Sequence, residues 1–110
     1  MNAVWRRAAL ACSLAVACSL VACRSSVQQG GELFELHCVD CHEMNNPYLK
    51  KQPPKLEGLF QHKTLPSGTP ATDEQVSKTI IEGLGTMPAF QGRLKPDEVN
   101  DLVRYLHTLN

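Results

Sequence analysis

The feature that most constrains this chain is the five-residue string Cys38–His42, which reads Cys-Val-Asp-Cys-His. Two thiols three positions apart can each add to a different vinyl group along one edge of a haem. The adjacent imidazole then lies beneath the ring, where it can bind iron. Because this string is typical of covalent haem attachment, it predicts Cys38, Cys41 and His42 as cofactor-binding residues, with His42 as an iron ligand and one haem c as the cofactor.

Two other kinds of site can use the same residues. A thioredoxin-like redox pair also has Cys-x-x-Cys, but its usual setting is a βαβ unit, and the sequence has no alternating strand pattern of useful length. A structural zinc site needs four ligands. The string offers three and His62 is a possible fourth, although the adjacent Cys41 and His42 are difficult to direct at one tetrahedral metal. Both remain alternatives to the haem site.

The first 22 residues have the layout of a signal peptide. Arg6 and Arg7 precede Ala8–Ala22, a run of 15 residues without a charge, as in the basic and apolar regions of an exported precursor. The run is shorter than the roughly 20 residues that a membrane-spanning helix needs. We therefore predict a signal peptide over residues 1–22, with a transmembrane anchor as the alternative.

The end of this segment resembles the lipobox of bacterial lipoproteins, in which a cysteine is lipidated and becomes the first residue of the mature protein. The resemblance rests on Leu20–Cys23, which follows a charged start and an apolar run. It implies lipidation of Cys23 and a protein anchored on the periplasmic side of a bacterial membrane. The outer membrane is favoured because Arg24, rather than aspartate, follows Cys23. Ordinary cleavage near Ala22, which would leave Cys23 as a free thiol, is the alternative.

Cysteine number and charge agree with this arrangement. Removal of residues 1–22 leaves Cys23, Cys38 and Cys41, an odd number that internal disulfides cannot fully pair in an exported protein. The full chain has 11 basic and 11 acidic residues, and loss of the two arginines of the segment leaves 9 against 11, a net charge of −2. A nucleic-acid-binding protein would need a basic stripe, so we expect no nucleic-acid partner.

The rest of the sequence predicts an all-α domain of three to four helices and long loops. We expect residues 23–29, which are mostly polar, to form a lipidated tether before a domain over residues 30–110. Gly30–His37 predicts a short helix, because Gly30, Phe34 and Cys38 recur at i, i+4 spacing. A glycine within this helix indicates close approach by another element.

The signals for the later helices are stronger. Residues 45–70 contain five prolines and two glycines and predict mostly loop with one short helical turn. Thr72 and Gln75 form a capping-box pattern before an apolar stripe, and Gly83 or Gly85 ends that helix. Pro96 begins the last helix. Its apolar residues recur to the end of the chain, at Val99, Leu102, Val103, Leu106 and Leu109.

Haem iron in an electron carrier needs a second axial ligand on the far face of the ring. After residue 22 the chain has two methionines, Met44 and Met87. Met44 follows His42 by two residues and cannot easily cross to the opposite face. Met87 precedes Pro88, which restricts the backbone beside it, so we predict Met87 as the second iron ligand. There are two alternatives: Met87 only fills the core, or His62, which has polar neighbours in the sequence, is the second iron ligand.

Residues 30–110 resemble the class I cytochrome c family. The matches are spread along the chain: the haem string, Gly30 and Phe34 before it, Leu102 and Tyr105 on the last helix, Pro54–Leu59, and Met87–Phe90. The resemblance implies a small cytochrome c fold wrapped around one covalently bound haem. It also implies that the Pro54 carbonyl accepts a hydrogen bond from the axial imidazole. The chain departs from some members in having no tryptophan after Trp5.

The resemblance and the predicted ligands together indicate an electron carrier and not an enzyme. With His42 and Met87 both bound, iron has no open position for a small-molecule substrate. We therefore expect the chain to pass single electrons between a donor and an acceptor redox protein. A haem c subunit of a larger oxidoreductase complex is the alternative function, and a ligand-binding haem sensor or enzyme is less favoured.

Overall fold

The computed structural model describes residues 24–43 and 46–110, which are helical and contain no β-strand. The predicted signal peptide, Cys23 and Met44 lie outside these residues. The helices are α1 (Ser26–His37), α2 (Val39–His42), α3 (Asp73–Glu82) and α4 (Pro96–Leu106), with a 3₁₀ helix over Leu59–Gln61. The predicted all-α class is confirmed. Across the part of the chain that is described, no helix is long and apolar enough to cross a bilayer.

Helix α1 begins at Ser26, earlier than the predicted start at Gly30. The Ser25 hydroxyl accepts a hydrogen bond from the Gln28 backbone N–H at 3.2 Å, and the Ser25 N–H donates to Gln28 Oε1 at 3.2 Å. This reciprocal capping box satisfies two N–H groups that a helix start would otherwise leave without partners. The expectation of a tether over residues 23–29 is therefore corrected, because Ser26–Gln29 form the first turn of α1.

Helices α1 and α4 pack closely at Gly30. A β-carbon at Gly30 would overlap the Asp101 carbonyl oxygen and lie 2.8 Å from Tyr105 Cβ. Beside this contact, the rings of Phe34 and Tyr105 have centroids 5.2 Å apart, and Phe34 and Leu102 are each only 1% exposed. The close approach that Gly30 predicts is confirmed, and it joins the first and last helices of the domain.

Helix α3 has part of the cap that its sequence predicts. The Thr72 hydroxyl accepts from the Gln75 N–H at 3.3 Å. A full capping box would also have the Thr72 N–H donate to the Gln75 side chain. Here the Thr72 N–H donates instead to the Pro70 carbonyl oxygen at 2.9 Å. The helix ends at Gly83, whose φ of +75° suits a residue without a β-carbon. Of the two predicted terminators, Gly83 rather than Gly85 ends α3.

Helix α4 begins at Pro96, as predicted, and the Glu98 carboxylate accepts from the Lys95 N–H at 2.8 Å. Its apolar pattern continues to Leu109, but this residue lies beyond the helix. The Leu109 carbonyl oxygen instead accepts a hydrogen bond from the Gly58 N–H at 2.7 Å. Leu109 is thus bonded to the residue that precedes the 3₁₀ helix of the long loop, which spans residues 46–70.

The core is small and lies where α1, α3 and α4 meet the loops. Leu59 and Leu65 come from the long loop, which contains one short 3₁₀ turn as predicted. Burial of side chains of this size stabilises a fold by roughly 1.5–3 kcal/mol each. The buried apolar residues are Phe34, Leu59, Leu65, Val76, Ile80, Phe90, Val99, Leu102, Val103 and Leu106.

Candidate functional site

A cavity of about 440 Å³ lies between the end of α1, the long loop, α3 and the loop that follows it. Its volume falls within the range of roughly 300–1,000 Å³ that is usual for ligand pockets. Four buried apolar side chains line it, from Leu59, Leu65, Val76 and Phe90. All five residues predicted to bind the cofactor also line it: Cys38, Cys41, His42, Pro54 and Met87. The fold therefore brings the predicted site residues together at one apolar cavity.

The Cys-x-x-Cys-His string winds into a helical turn directly after α1. The Cys38 N–H donates to the Phe34 carbonyl oxygen at 2.8 Å, which continues α1 to the first thiol. The Cys38 carbonyl oxygen then accepts from the N–H groups of Cys41 at 3.2 Å and His42 at 2.9 Å. This turn presents both cysteines and the histidine to the cavity. Both cysteines are free thiols, so each sulfur is available for a thioether bond.

The environment of Cys38 disfavours a reactive thiolate. Burial raises the pKa of the Cys38 thiol to about 11, and the neighbouring Cys41 contributes to the increase. Thiol–disulfide exchange proceeds through the thiolate, which Cys38 scarcely forms at neutral pH. The alternative of a thioredoxin-like redox pair therefore has no support at this residue.

The His42 ring is oriented by the chain twelve residues further on. Its Nδ1 lies 2.7 Å from the Pro54 carbonyl oxygen. A carbonyl oxygen can only accept, so Nδ1 carries the hydrogen and donates it, and Nε2 keeps a lone pair that can bind a metal. Such a contact fixes the ring and makes the metal-binding nitrogen more basic. The Pro54 contact implied by the resemblance is present in the structure.

Met87 is held in a tight turn after α3. The Leu84 N–H donates to the Met87 carbonyl oxygen at 3.2 Å, and the Met87 N–H donates to the Leu84 carbonyl oxygen at 3.0 Å. Gly85, inside this turn, has a φ of +59°. Further on, the Phe90 N–H donates to the Ile80 carbonyl oxygen at 3.0 Å, which ties the loop to the last turn of α3. Backbone bonds on both sides thus position Met87.

Gly83 has a packing role that its sequence pattern does not predict. A β-carbon at this position would lie 2.6 Å from the Met87 carbonyl oxygen, and 2.9 Å from both the Pro88 carbonyl carbon and the Ala89 nitrogen. Any side chain would therefore push Met87–Ala89 away from α3. A glycine four residues before Met87 indicates a helix end. The contact itself depends on how the chain folds back, which the sequence pattern does not specify.

The other histidines do not complete a metal site. His62 is exposed and does not line the cavity. His37 does line it, with its ring 5.8 Å from the Phe90 ring in an edge-on arrangement. His107 stacks on Phe60, with ring centroids 3.7 Å apart. Within residues 24–43 and 46–110, no three or more His, Cys, Asp and Glu residues are grouped to hold a metal ion, so the zinc alternative has no support.

These residues fit a haem. The two thiols of Cys38 and Cys41 occupy one part of the cavity wall, apolar side chains form much of the rest, and His42 offers Nε2. Met87 supplies a thioether to the same cavity. A bound haem would supply an iron that changes its charge by one electron, and burial against apolar walls together with a methionine ligand favours the reduced form.

Comparison with known proteins settles the family. Residues 25–106 match the family model described as cytochrome C oxidase, cbb3-type, subunit III. A cytochrome c of Arabidopsis thaliana is 31% identical over an alignment of 102 residues, and this alignment covers 78% of this chain and 91% of the relative. The chain belongs to the class I cytochrome c family. This cytochrome is an electron carrier, and it binds one covalent haem c.

Other comparisons agree on the fold of the cytochrome. The solved structure of cytochrome c6 from the diatom Phaeodactylum tricornutum aligns with a TM-score of 0.56 and 27% identity, covering 76% of this chain and 93% of that one. A cytochrome bc1 complex cytochrome c subunit of Corynebacterium efficiens is 28% identical over 81 residues. The aligned part covers 73% of this chain but only 25% of that subunit, so this chain spans about a quarter of its length.

Proposed function

We propose that this cytochrome is exported and lipid-anchored, and that it passes single electrons between a donor and an acceptor redox protein at a membrane surface. One observation supports electron transfer: His42 and Met87 line the same cavity. The Pro54 carbonyl oxygen, 2.7 Å from His42 Nδ1, holds the histidine ring there. His42 and Met87 would hold the iron of a bound haem. With both of them bound, the iron would have no open position for a small-molecule substrate, and the site would transfer electrons.

Carbon monoxide tests this ligation directly. The ferrous holoprotein mixed with carbon monoxide at neutral pH should keep its spectrum, because Met87 occupies the position that the gas would take. The Met87→Ala variant is the matched control and should bind the gas rapidly. A fast and complete spectral change in the unaltered protein would show an open site, as a sensor or enzyme would have.

The proposed anchor is a lipid on Cys23, on the periplasmic side of a bacterial membrane, with the outer membrane favoured. The support is the Leu20–Cys23 pattern and the arginine that follows it. A Cys23→Ser variant should move to the soluble fraction when cells are fractionated. Cys18→Ser, which changes a cysteine inside the predicted signal peptide, is the control and should leave the protein membrane-bound. Membrane association of Cys23→Ser would indicate an uncleaved helix instead.

The second candidate is a haem c subunit of a larger oxidoreductase complex. The observation that favours it is the similarity to a cytochrome bc1 complex cytochrome c subunit and to the cbb3-type oxidase subunit III family model. Purification in mild detergent separates the two functions. A free carrier should elute as one small haem protein, whereas a subunit should stay with larger redox proteins through successive columns.

A further inference from the structure

The segment between Cys23 and the folded domain has only two residues, Arg24 and Ser25, which we call the linker. Ser25 caps α1 through its reciprocal bonds to Gln28, and the Ser25 carbonyl oxygen accepts from the Gln29 N–H at 3.1 Å. Even if this first turn unwinds, Gly30 remains packed against the Asp101 backbone. The sequence predicts a tether over residues 23–29, and in the structure Ser26–Gln29 belong to α1.

Arg24 is itself held against α1. Its Nη1 donates to Glu32 Oε2 at 2.9 Å and to Oε1 at 3.1 Å. Both side chains are largely exposed, 67% and 58%, and such pairs contribute little to stability in water. The ion pair therefore only biases the linker toward the helix. The start of α1, rather than this pair, is what makes the linker short.

The length of α1 sets the distance from the linker to the cavity. Two residues extend at most about 7 Å. The 12 residues of α1 add about 18 Å at a rise of roughly 1.5 Å per residue. His37 and Cys38, at the far end of α1, line the cavity. The wall that carries the haem-binding thiols is thus within about 25 Å of Cys23, at the opposite end of the helix.

We propose that the linker keeps the haem within this distance of the membrane that holds the lipid, and that the redox partner is a protein of that same membrane. The inference rests on the proposed lipid at Cys23. A partner in the same membrane meets the haem at a high effective concentration, because both are confined to one surface. A linker of two residues extends at most about 7 Å, so it cannot carry the domain away from its own membrane toward a facing one.

The distance can be measured by energy transfer from a fluorescent lipid headgroup to the haem. The lipidated holoprotein is placed in vesicles of neutral phospholipid that contain this headgroup lipid. A variant with 20 Gly/Ser residues inserted between Arg24 and Ser25 has a linker of about 25 Å root-mean-square length. We expect the insertion to remove at least half of the quenching. The same insertion after Asn110 is the matched control and should quench like the unaltered protein.

The flotation and quenching results test the lipid anchor and the short linker separately. If the unaltered protein does not float with the vesicles, the lipid anchor is wrong and the inference fails with it. If it floats but quenches no more than the protein with the inserted linker, the anchor stands and the short linker alone is wrong. Strong quenching that the insertion after Arg24 weakens, and the C-terminal insertion does not, supports the inference.

The partner is tested with washed membranes of the source organism. These membranes are separated into inner and outer fractions. Holoprotein incorporated into the fraction that holds the lipid should be reduced by the redox proteins of that fraction on the order of 100-fold faster than holoprotein presented on separate vesicles. The Cys23→Ser holoprotein diffuses freely and is the control for a protein on separate vesicles that is inactive rather than unable to reach the membrane. It should be reduced at a rate that rises with its concentration. Equal rates for the incorporated protein and the protein on separate vesicles would overturn a partner in the same membrane.

Discussion

His42 and Met87 reach the cavity through different local structures. His42 belongs to a helical turn and is oriented by a carbonyl oxygen from the long loop. Met87 lies in a turn that backbone hydrogen bonds close on both sides. The first residue could be predicted from the haem string alone, and its Pro54 contact from the family resemblance. The packing of Gly83 behind Met87 could not, since it appears only when the chain folds back on α3.

Replacement of Met87 should lower the reduction potential. A thioether ligand favours ferrous iron, so Met87→Ala should keep covalent haem but shift the potential down by about 0.1 V or more, within the roughly 0.8 V that axial ligands span. A redox titration measures this, with Met44→Ala as the control. An unchanged titration would remove Met87 from the ligand set.

Substitution of Gly83 should weaken Met87 ligation without touching the cavity. A methyl group at this position meets the Met87–Ala89 backbone, and φ is +75°. Gly83→Ala should therefore reduce the sulfur-to-iron charge-transfer band and let the ferrous protein bind carbon monoxide. Gly85→Ala is a close control, because its φ is also positive at +59° but nothing lies within 4 Å of its β-carbon. Equal loss of the band in both variants would point to backbone strain alone.

The elements differ in how well their sequence signals define them. Helices α3 and α4 begin where their caps predict, although the reciprocal bond of the Thr72 cap is replaced and Leu109 lies beyond α4. The polar first turn of α1 gives no apolar signal for the helix start, although Ser25 and Gln28 form a capping-box pattern there. The path of the long loop was not predictable, because its prolines exclude a helix without fixing where the chain goes.

The contact of α1 with α4 should be sensitive to one methyl group. Gly30→Ala gains about 1 kcal/mol of helix propensity, yet its β-carbon meets the Asp101 backbone, which cannot move aside easily. Such overpacking costs about 1–3 kcal/mol, so we expect a net loss of up to about 2 kcal/mol in the free energy of unfolding, measured by denaturant titration of the holoprotein. Gly31→Ala is the control, because it meets only the edge of the Tyr105 ring, at 3.1 Å. Similar stability of the two variants would contradict a tight contact at Gly30.

At the scale of the whole molecule, the protein core is incomplete on its own. The apolar side chains that line the cavity belong to the same cluster that joins the helices. Small domains often need a cofactor, metal or disulfide to be stable. The haem is therefore part of the core of this cytochrome as well as its redox centre.

Loss of either thioether should loosen this core. Cys38→Ala or Cys41→Ala removes one covalent bond and leaves the other, so we expect each single variant to accumulate poorly but to retain its haem. In the double variant acidified organic solvent should extract the haem. Extraction of the purified protein measures haem retention, and the haem content of whole cells measures accumulation. The Cys12→Ser variant, altered within the predicted signal peptide, should retain its haem. Haem that resists extraction from the double variant would contradict attachment at these residues.

The packing of α1 on α4 also sets an order of events during biogenesis. Gly30 and the Asp101 backbone that it touches come from opposite ends of the domain. In the export proposed above, a chain that crosses the membrane amino terminus first would present Cys38 and Cys41 before α4. Because the packing of α1 on α4 needs both ends of the domain, the two thiols would stay accessible for thioether formation until α4 has emerged.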